Sequence, residues 1–141
     1  MKFDASIGFD TALKDIPSIA QAAEAIGFDA IWASETQHDP FLPLTLIAEH
    51  TSRLKFGTAI AIAFARSPMI VAHTAFDLAG QSNGRFMLGL GTQVKAHIER
   101  RFGMTWDAPV PRLREYIQAL RSIWNSWQMG SKLNFRGEHY Q

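Results

Sequence analysis

The sequence predicts an α/β fold of four βα units with parallel strands and flanking helices. Two observations predict it. Short apolar runs alternate with segments of helical periodicity in the order β-α-β-α-β-α-β-α. Alternation at this spacing implies parallel strands joined by right-handed crossovers. The run Lys55–Ala63 is almost wholly apolar, as a strand covered on both faces is. Two architectures meet this description, an open doubly wound sheet and one half of a (β/α)8 barrel. A complete barrel needs about 250 residues, and the chain has 141.

Phe3, Ala5 and Ile7 alternate in a first strand over 2–7. Ile16, Ile19, Ala20, Ala23 and Ile26 then recur at helical spacing. Asp15 and Pro17 suit the start of that helix, and Gly27 suits its C-cap. Residues 28–34 read as a buried second strand, followed by a polar loop over 35–40 and a helix over 43–53. The third strand is 55–63. Ser67-Pro68 supplies an N-cap with proline at the first helical position, and Ile70, Val71, Thr74, Ala75 and Leu78 form the stripe of the third helix. Residues 85–91 are the fourth strand. Leu113, Tyr116, Ile117, Leu120, Ile123, Trp124 and Trp127 mark the last helix, with both tryptophans on its apolar face. Residues 132–141 read as the start of a hairpin, with a turn at Arg136-Gly137. No linker composition divides the chain, so a single domain over 1–141 is expected.

Composition narrows the function. Apolar residues are 47% and charged residues 19%, ordinary for a globular protein, and the net charge of +1 gives no electrostatic case for nucleic acid or an anionic membrane. The absence of cysteine excludes disulfides, thiolate nucleophiles and Cys-based metal sites. The N-terminus lacks the pattern of a signal peptide, and no apolar run reaches a membrane span. A cytoplasmic protein acting on a small molecule is expected.

Candidate site residues lie past the strand ends. Gly89-Leu90-Gly91 follows a strand, but a dinucleotide fingerprint needs glycine at position 94, where valine stands. Five histidines form no metal motif. Glu35, His38 and Asp39 occupy the loop after the second strand, where α/β barrels place reactive groups, and histidine can move protons near neutral pH. The same residues also read as a solvated loop, with Asp39 capping a turn. Arg66 suits either a ligand anion or a loop anchor. Phe102, Met104 and Trp106 suit either a pocket or packing under a loop.

Several stretches in order, "GFDAIWASETQHDPF", "LKFGTAIAIAFARSP", "AFDLAGQSNGRFMLGLGTQ", "RFGMTWDAPVPRLREYIQALRSIW" and "FRGEHYQ", resemble the luciferase-like monooxygenase superfamily. The nearest branch is the oxidoreductases that use the deazaflavin coenzyme F420. The resemblance implies the N-terminal half of a TIM (β/α)8 barrel, with the coenzyme ring across the C-terminal ends of the strands. It implies a non-prolyl cis peptide at Ala59-Ile60, or one residue later, behind the ring. Ser34, Thr58, Ala59, Ile60 and Ala61, and Gly91, Thr92 and Gln93 at the strand-four turn, are the implied cofactor-binding residues. The implied chemistry is hydride transfer between F420 and an organic substrate, with His38, then Glu35, as proton-handling groups. Sugar-phosphate and alcohol dehydrogenases of the family carry histidine directly after the strand-two acid and an acid after the strand-four turn. Here Thr36 and Gln93-Val94 stand there. The alternatives are an FMN-dependent monooxygenase and a non-catalytic half-barrel that associates with itself. Four strands would leave exposed sheet edges, so the chain is expected either to be part of a longer protein or to associate through those edges as a homodimer.

Overall fold

A computed structural model describes residues 1–141. Strands β1 (Asp4–Ser6), β2 (Ala30–Ala33), β3 (Lys55–Thr58) and β5 (Phe86–Met87) form one parallel sheet in the order β1-β2-β3-β5. Helices α1 (Ile16–Ile26), α2 (Leu42–His50) and α3 (Pro68–Gln81) connect them. The strand β4 (Ala61–Ile62) follows β3 after a break, and β6 (Leu90–Gly91) follows β5 in the same way. Helices α4 (Lys95–Arg101) and α5 (Pro109–Met129) complete the chain. The fold is a four-stranded parallel α/β half-barrel. Two compact units divide it: residues 1–61 with 77–90, and residues 62–76 with 91–141.

The first unit holds the sheet. Its core is Ile31 and Phe56 from the strands, Ile16 from α1, Leu44 and Ile47 from α2, with Leu54 and Leu78, all at most 2% exposed. Each such side chain contributes about 1.5–3 kcal/mol on burial. α1 ends as its sequence predicts, with Gly27 at φ 103° and its N–H on Ala23 O. The α1 stripe is narrower than expected, because Ile19 and Ile26 face solvent while Ile16, Ala20 and Ala23 are buried.

Glu24 joins α1 to the segment before β3. Its carboxylate accepts the N–H groups of Ser52 (3.1 Å), Arg53 (2.6 Å) and Leu54 (2.7 Å). Partial burial pushes its pKa up, but these three donors and the Arg53 charge more than offset that and hold it below the ordinary carboxylate value. A depressed folded pKa means that the stabilisation is present above the unfolded value, about 4.3, and is lost as pH falls through the folded one. Glu24→Gln is expected to cost about 1 kcal/mol at pH 7, a figure kept low because the group is only half-buried. Urea midpoints measured from pH 7 to pH 3 should fall less steeply for the variant below about pH 4.

Two expectations for this unit change. The run 55–63 is not one strand. Ala59 N–H still bonds Ala33 O (2.8 Å), but Ala61 N–H turns to Gly89 O (2.9 Å), and the peptide between, Ala59-Ile60, is cis. The fourth strand, 85–91, is likewise interrupted at Leu88-Gly89.

The second unit is built on α5. Tyr116, Ala119, Leu120 and Ile123 are buried along the expected stripe. Tyr116 Oη donates to Ser67 O (3.1 Å), and burial pushes its phenol pKa up. Trp124 Nε1 donates to Ala72 O (3.1 Å), and Trp127 stacks parallel to His73 at 5.1 Å, so both tryptophans are half-buried rather than fully core. Ser67 Oγ accepts the N–H of Ile70, as the Ser-Pro start predicts. The hairpin expected over 132–141 does not form. Glu115 instead takes the N–H groups of Glu138, His139 and Tyr140, which withdraws these three donors from any ladder, and one turn closes from Gly137 N–H to Tyr140 O.

Candidate functional site

The strand ends of the first unit carry the candidate site. Ser34 follows β2 and its Oγ donates to Ala59 O (2.9 Å). Glu35 N–H donates to Ile60 O (3.3 Å). These two bonds take both carbonyls of the Ala59-Ile60 step. The next element down is equally fixed. Thr58 Oγ1 donates to Gly89 O (2.7 Å) and accepts Gly89 N–H (2.9 Å). A Cβ at Gly89 would run into Thr58 O, so only glycine allows this approach.

The result is a shelf with two layers. Ala59 and Ile60 are exposed, Ile60 at 37%, while Thr58 and Ala61 beneath them are at most 1% exposed. Ser34, Glu35, Thr58, Ala59, Ile60 and Ala61 are thus gathered around one strand end. Gly91, Thr92 and Gln93 lie in the second unit and are half-buried. There Thr92 Oγ1 donates to Gln93 O (3.1 Å), and Gln93, at φ 60°, bonds Val94 N–H through Oε1 (3.0 Å).

His38 and Asp39 occupy the loop between β2 and α2. Asp39 Oδ1 accepts Phe41 N–H (2.7 Å) and Leu42 N–H (3.1 Å), the capping arrangement that its position suggested. His38 is exposed. Both border a cavity of about 280 Å³ that also reaches Ala33, Ser34 and Thr36. The opposite wall comes from the loop after β1, residues Ile7 to Leu13. Gln37 Nε2 donates to Asp10 Oδ1 (3.0 Å) and ties the two loops together. Sequence reasoning assigned no site residue to this first loop. The signal was there: Phe9 and Leu13 are large apolar residues off the α1 stripe, and they are 65% and 46% exposed.

In the second unit, Arg66 Nη1 donates to Ile62 O (3.4 Å), which favours the loop-anchor reading. Trp106 packs edge-on against buried Phe64 at 5.7 Å and also lines a cavity with Thr92 and Gln93, so it serves both as packing and as a pocket wall, whereas Phe102 and Met104 do not line that cavity.

A parallel βα half-barrel whose polar and small residues collect at the C-terminal strand ends defines a protein of the α/β-barrel class. The luciferase-like monooxygenase family matches over residues 1–141, and the chain belongs to that family. It is 55% identical over 140 residues to an uncharacterized protein of Mycobacterium tuberculosis, covering 99% of this chain and 41% of that protein. It is 29% identical over 146 residues to the F420-dependent glucose-6-phosphate dehydrogenase of Amycolatopsis mediterranei, covering 91% of this chain and 41% of the enzyme. Among solved structures, the oxygenating constituent of 3,6-diketocamphane monooxygenase of Pseudomonas putida, in complex with FMN, superposes with a TM-score of 0.83 at 17% identity, over 99% of this chain and 42% of that one. The chain therefore spans about two fifths of the length of the proteins it matches. No helix is long and apolar enough to cross a membrane.

Proposed function

We propose that this chain supplies the ring-binding half of an oxidoreductase that transfers a hydride between the deazaflavin coenzyme F420 and an organic substrate. The observation that carries the reading is the shelf at the end of β3. Ala59 and Ile60 are exposed, and hydrogen bonds from Ser34 and Glu35 fix their carbonyls. A small, apolar and immobile surface suits the face of a flat ring. Thr58 and Ala61 are buried below it, so their part is support, and direct contact falls to Ala59 and Ile60. Gly91, Thr92 and Gln93 are further candidates for cofactor contact.

When bound, the deazaflavin supplies a two-electron hydride acceptor or donor. The chain's own part is to place the substrate and to move its proton. His38 is the proposed proton carrier, because its ring is exposed to the cavity and makes no side-chain bond within the protein. Glu35 is second, since its backbone is committed to the shelf.

An FMN-dependent monooxygenase is the second reading, favoured by the fold match to a structure holding FMN. Fluorescence titration of the purified chain with each coenzyme decides between them. Saturable change with F420, and at least ten-fold weaker binding of FMN, is the expected result. Saturation by FMN alone would move the chain to the second reading. Binding of neither would leave a non-catalytic, self-associating half-barrel.

A further inference from the structure

We infer that the cavity between the loops after β1 and β2 binds an uncharged apolar group bearing one carbonyl or hydroxyl, and that it excludes phosphorylated and carboxylated substrates. Calling the occupant a substrate rests on the oxidoreductase reading of the strand ends; the binding preference itself does not.

Size comes first. A dry cavity of about 150 Å³ holds benzene, so about 280 Å³ accepts a six-membered ring with a short substituent. Chemistry comes next. The walls away from the sheet are Phe9, Leu13, Ile16, Leu42 and Pro43. Of these, Phe9, Leu13 and Leu42 are 65%, 46% and 55% exposed, an apolar surface that a ligand ring would cover. No lysine or arginine borders the cavity. An anion entering it would lose hydration and find no guanidinium or ammonium group in the lining to offset that loss. The polar groups converge on one side, from Ser34, Thr36 and His38. Ser34 Oγ spends its proton on Ala59 O and keeps a lone pair, whereas a His38 N–H is open for donation. Ser34 also joins this cavity to the shelf, so a group held here lies beside the proposed ring face. The Gln37–Asp10 bond holds the two walls at a set separation without ligand.

Two probes of the same ring test this, acetophenone and phenyl phosphate, titrated into the ¹⁵N-labelled chain. Acetophenone should give saturable shifts at the amides of Gly8, Thr11, Thr36 and His38, and phenyl phosphate none at equal concentration. Leu13→Trp, which fills the cavity from an exposed position, should weaken acetophenone at least ten-fold while the amides of Phe56 and Leu78 stay in place. Leu42→Trp repeats the test from the other wall should the first variant lose its dispersed spectrum. No saturable shift with acetophenone, equal or tighter binding of phenyl phosphate, or undiminished binding by the folded variants would each overturn the inference. Coenzyme titration keeps the two readings apart. Shifts with acetophenone but no coenzyme binding sink the cofactor reading alone, and coenzyme binding without these shifts sinks this one alone.

Discussion

Replacing Arg85 by alanine should cost about 3–5 kcal/mol of unfolding free energy, measured as a drop in urea midpoint at pH 7. Arg85 begins the chain's approach to β5 and spends its whole guanidinium on the protein. Nη2 donates to Ala48 O and Thr51 O (both 2.9 Å), and Nη1 donates to Leu54 O and Thr51 Oγ1 (both 2.8 Å). Nε reaches Ser82 O (3.0 Å), and the group lies 5.3 Å above the Phe56 ring. Ala48 and Thr51 are at the C-terminal end of α2, where unsatisfied carbonyls and the helix dipole favour a cation. Removing the side chain leaves these acceptors in a region where Thr51 is 8% and Ser82 0% exposed. Lysine restores the charge but not the fork, so Arg85→Lys should recover less than half of the loss. If Arg85→Ala unfolded within 1 kcal/mol of the parent, the guanidinium would not be the anchor described above.

Glycine replacements should change stability in opposite directions by position. At Gly57 a Cβ would strike the carbonyl of Met87, its partner across β3 and β5, and come within 2.9 Å of Trp32. Neither backbone can yield without breaking the ladder, so Gly57→Ala should cost about 3 kcal/mol or more. Gly89→Ala meets Thr58 O in the same way, and it should also weaken coenzyme binding, because the shelf rests on the Thr58–Gly89 pair. Gly80 is the contrast. It lies within α3 and a Cβ there meets nothing within 4 Å. Gly80→Ala should stabilise by about 0.5–1 kcal/mol through helix propensity alone. Thermal melts of the three variants side by side read the sign directly.

The strand order and the helix caps were legible because each rests on a local rule. Gly27 ends α1 as a left-handed cap, Ser67 caps α3, and the α5 stripe buries Tyr116 and Ile123. Other features depend on partners distant in sequence. A continuous apolar run such as 55–63 shows burial but not where the backbone changes partner, and that change is made at Ala61 by Gly89. α4 was missed because it is short and charged, with Ile98 its one buried residue. Residues 132–141 have a turn signal, but Glu115 takes the amide donors of Glu138, His139 and Tyr140. In the site, Asp39 follows its capping rule, whereas the loop after β1 went unassigned because its exposed Phe9 and Leu13 gain meaning only beside the β2 loop.

The sheet order β1-β2-β3-β5 also bears on how the chain is made. Each strand pairs with the one that precedes it in that list, and paired residues are about 25–30 positions apart. During synthesis, every new strand therefore leaves the ribosome to find its template already translated and close behind it. Loops of this size close at modest entropic cost for each of these three pairings. The sheet can be laid down in the direction of translation, one βα unit at a time.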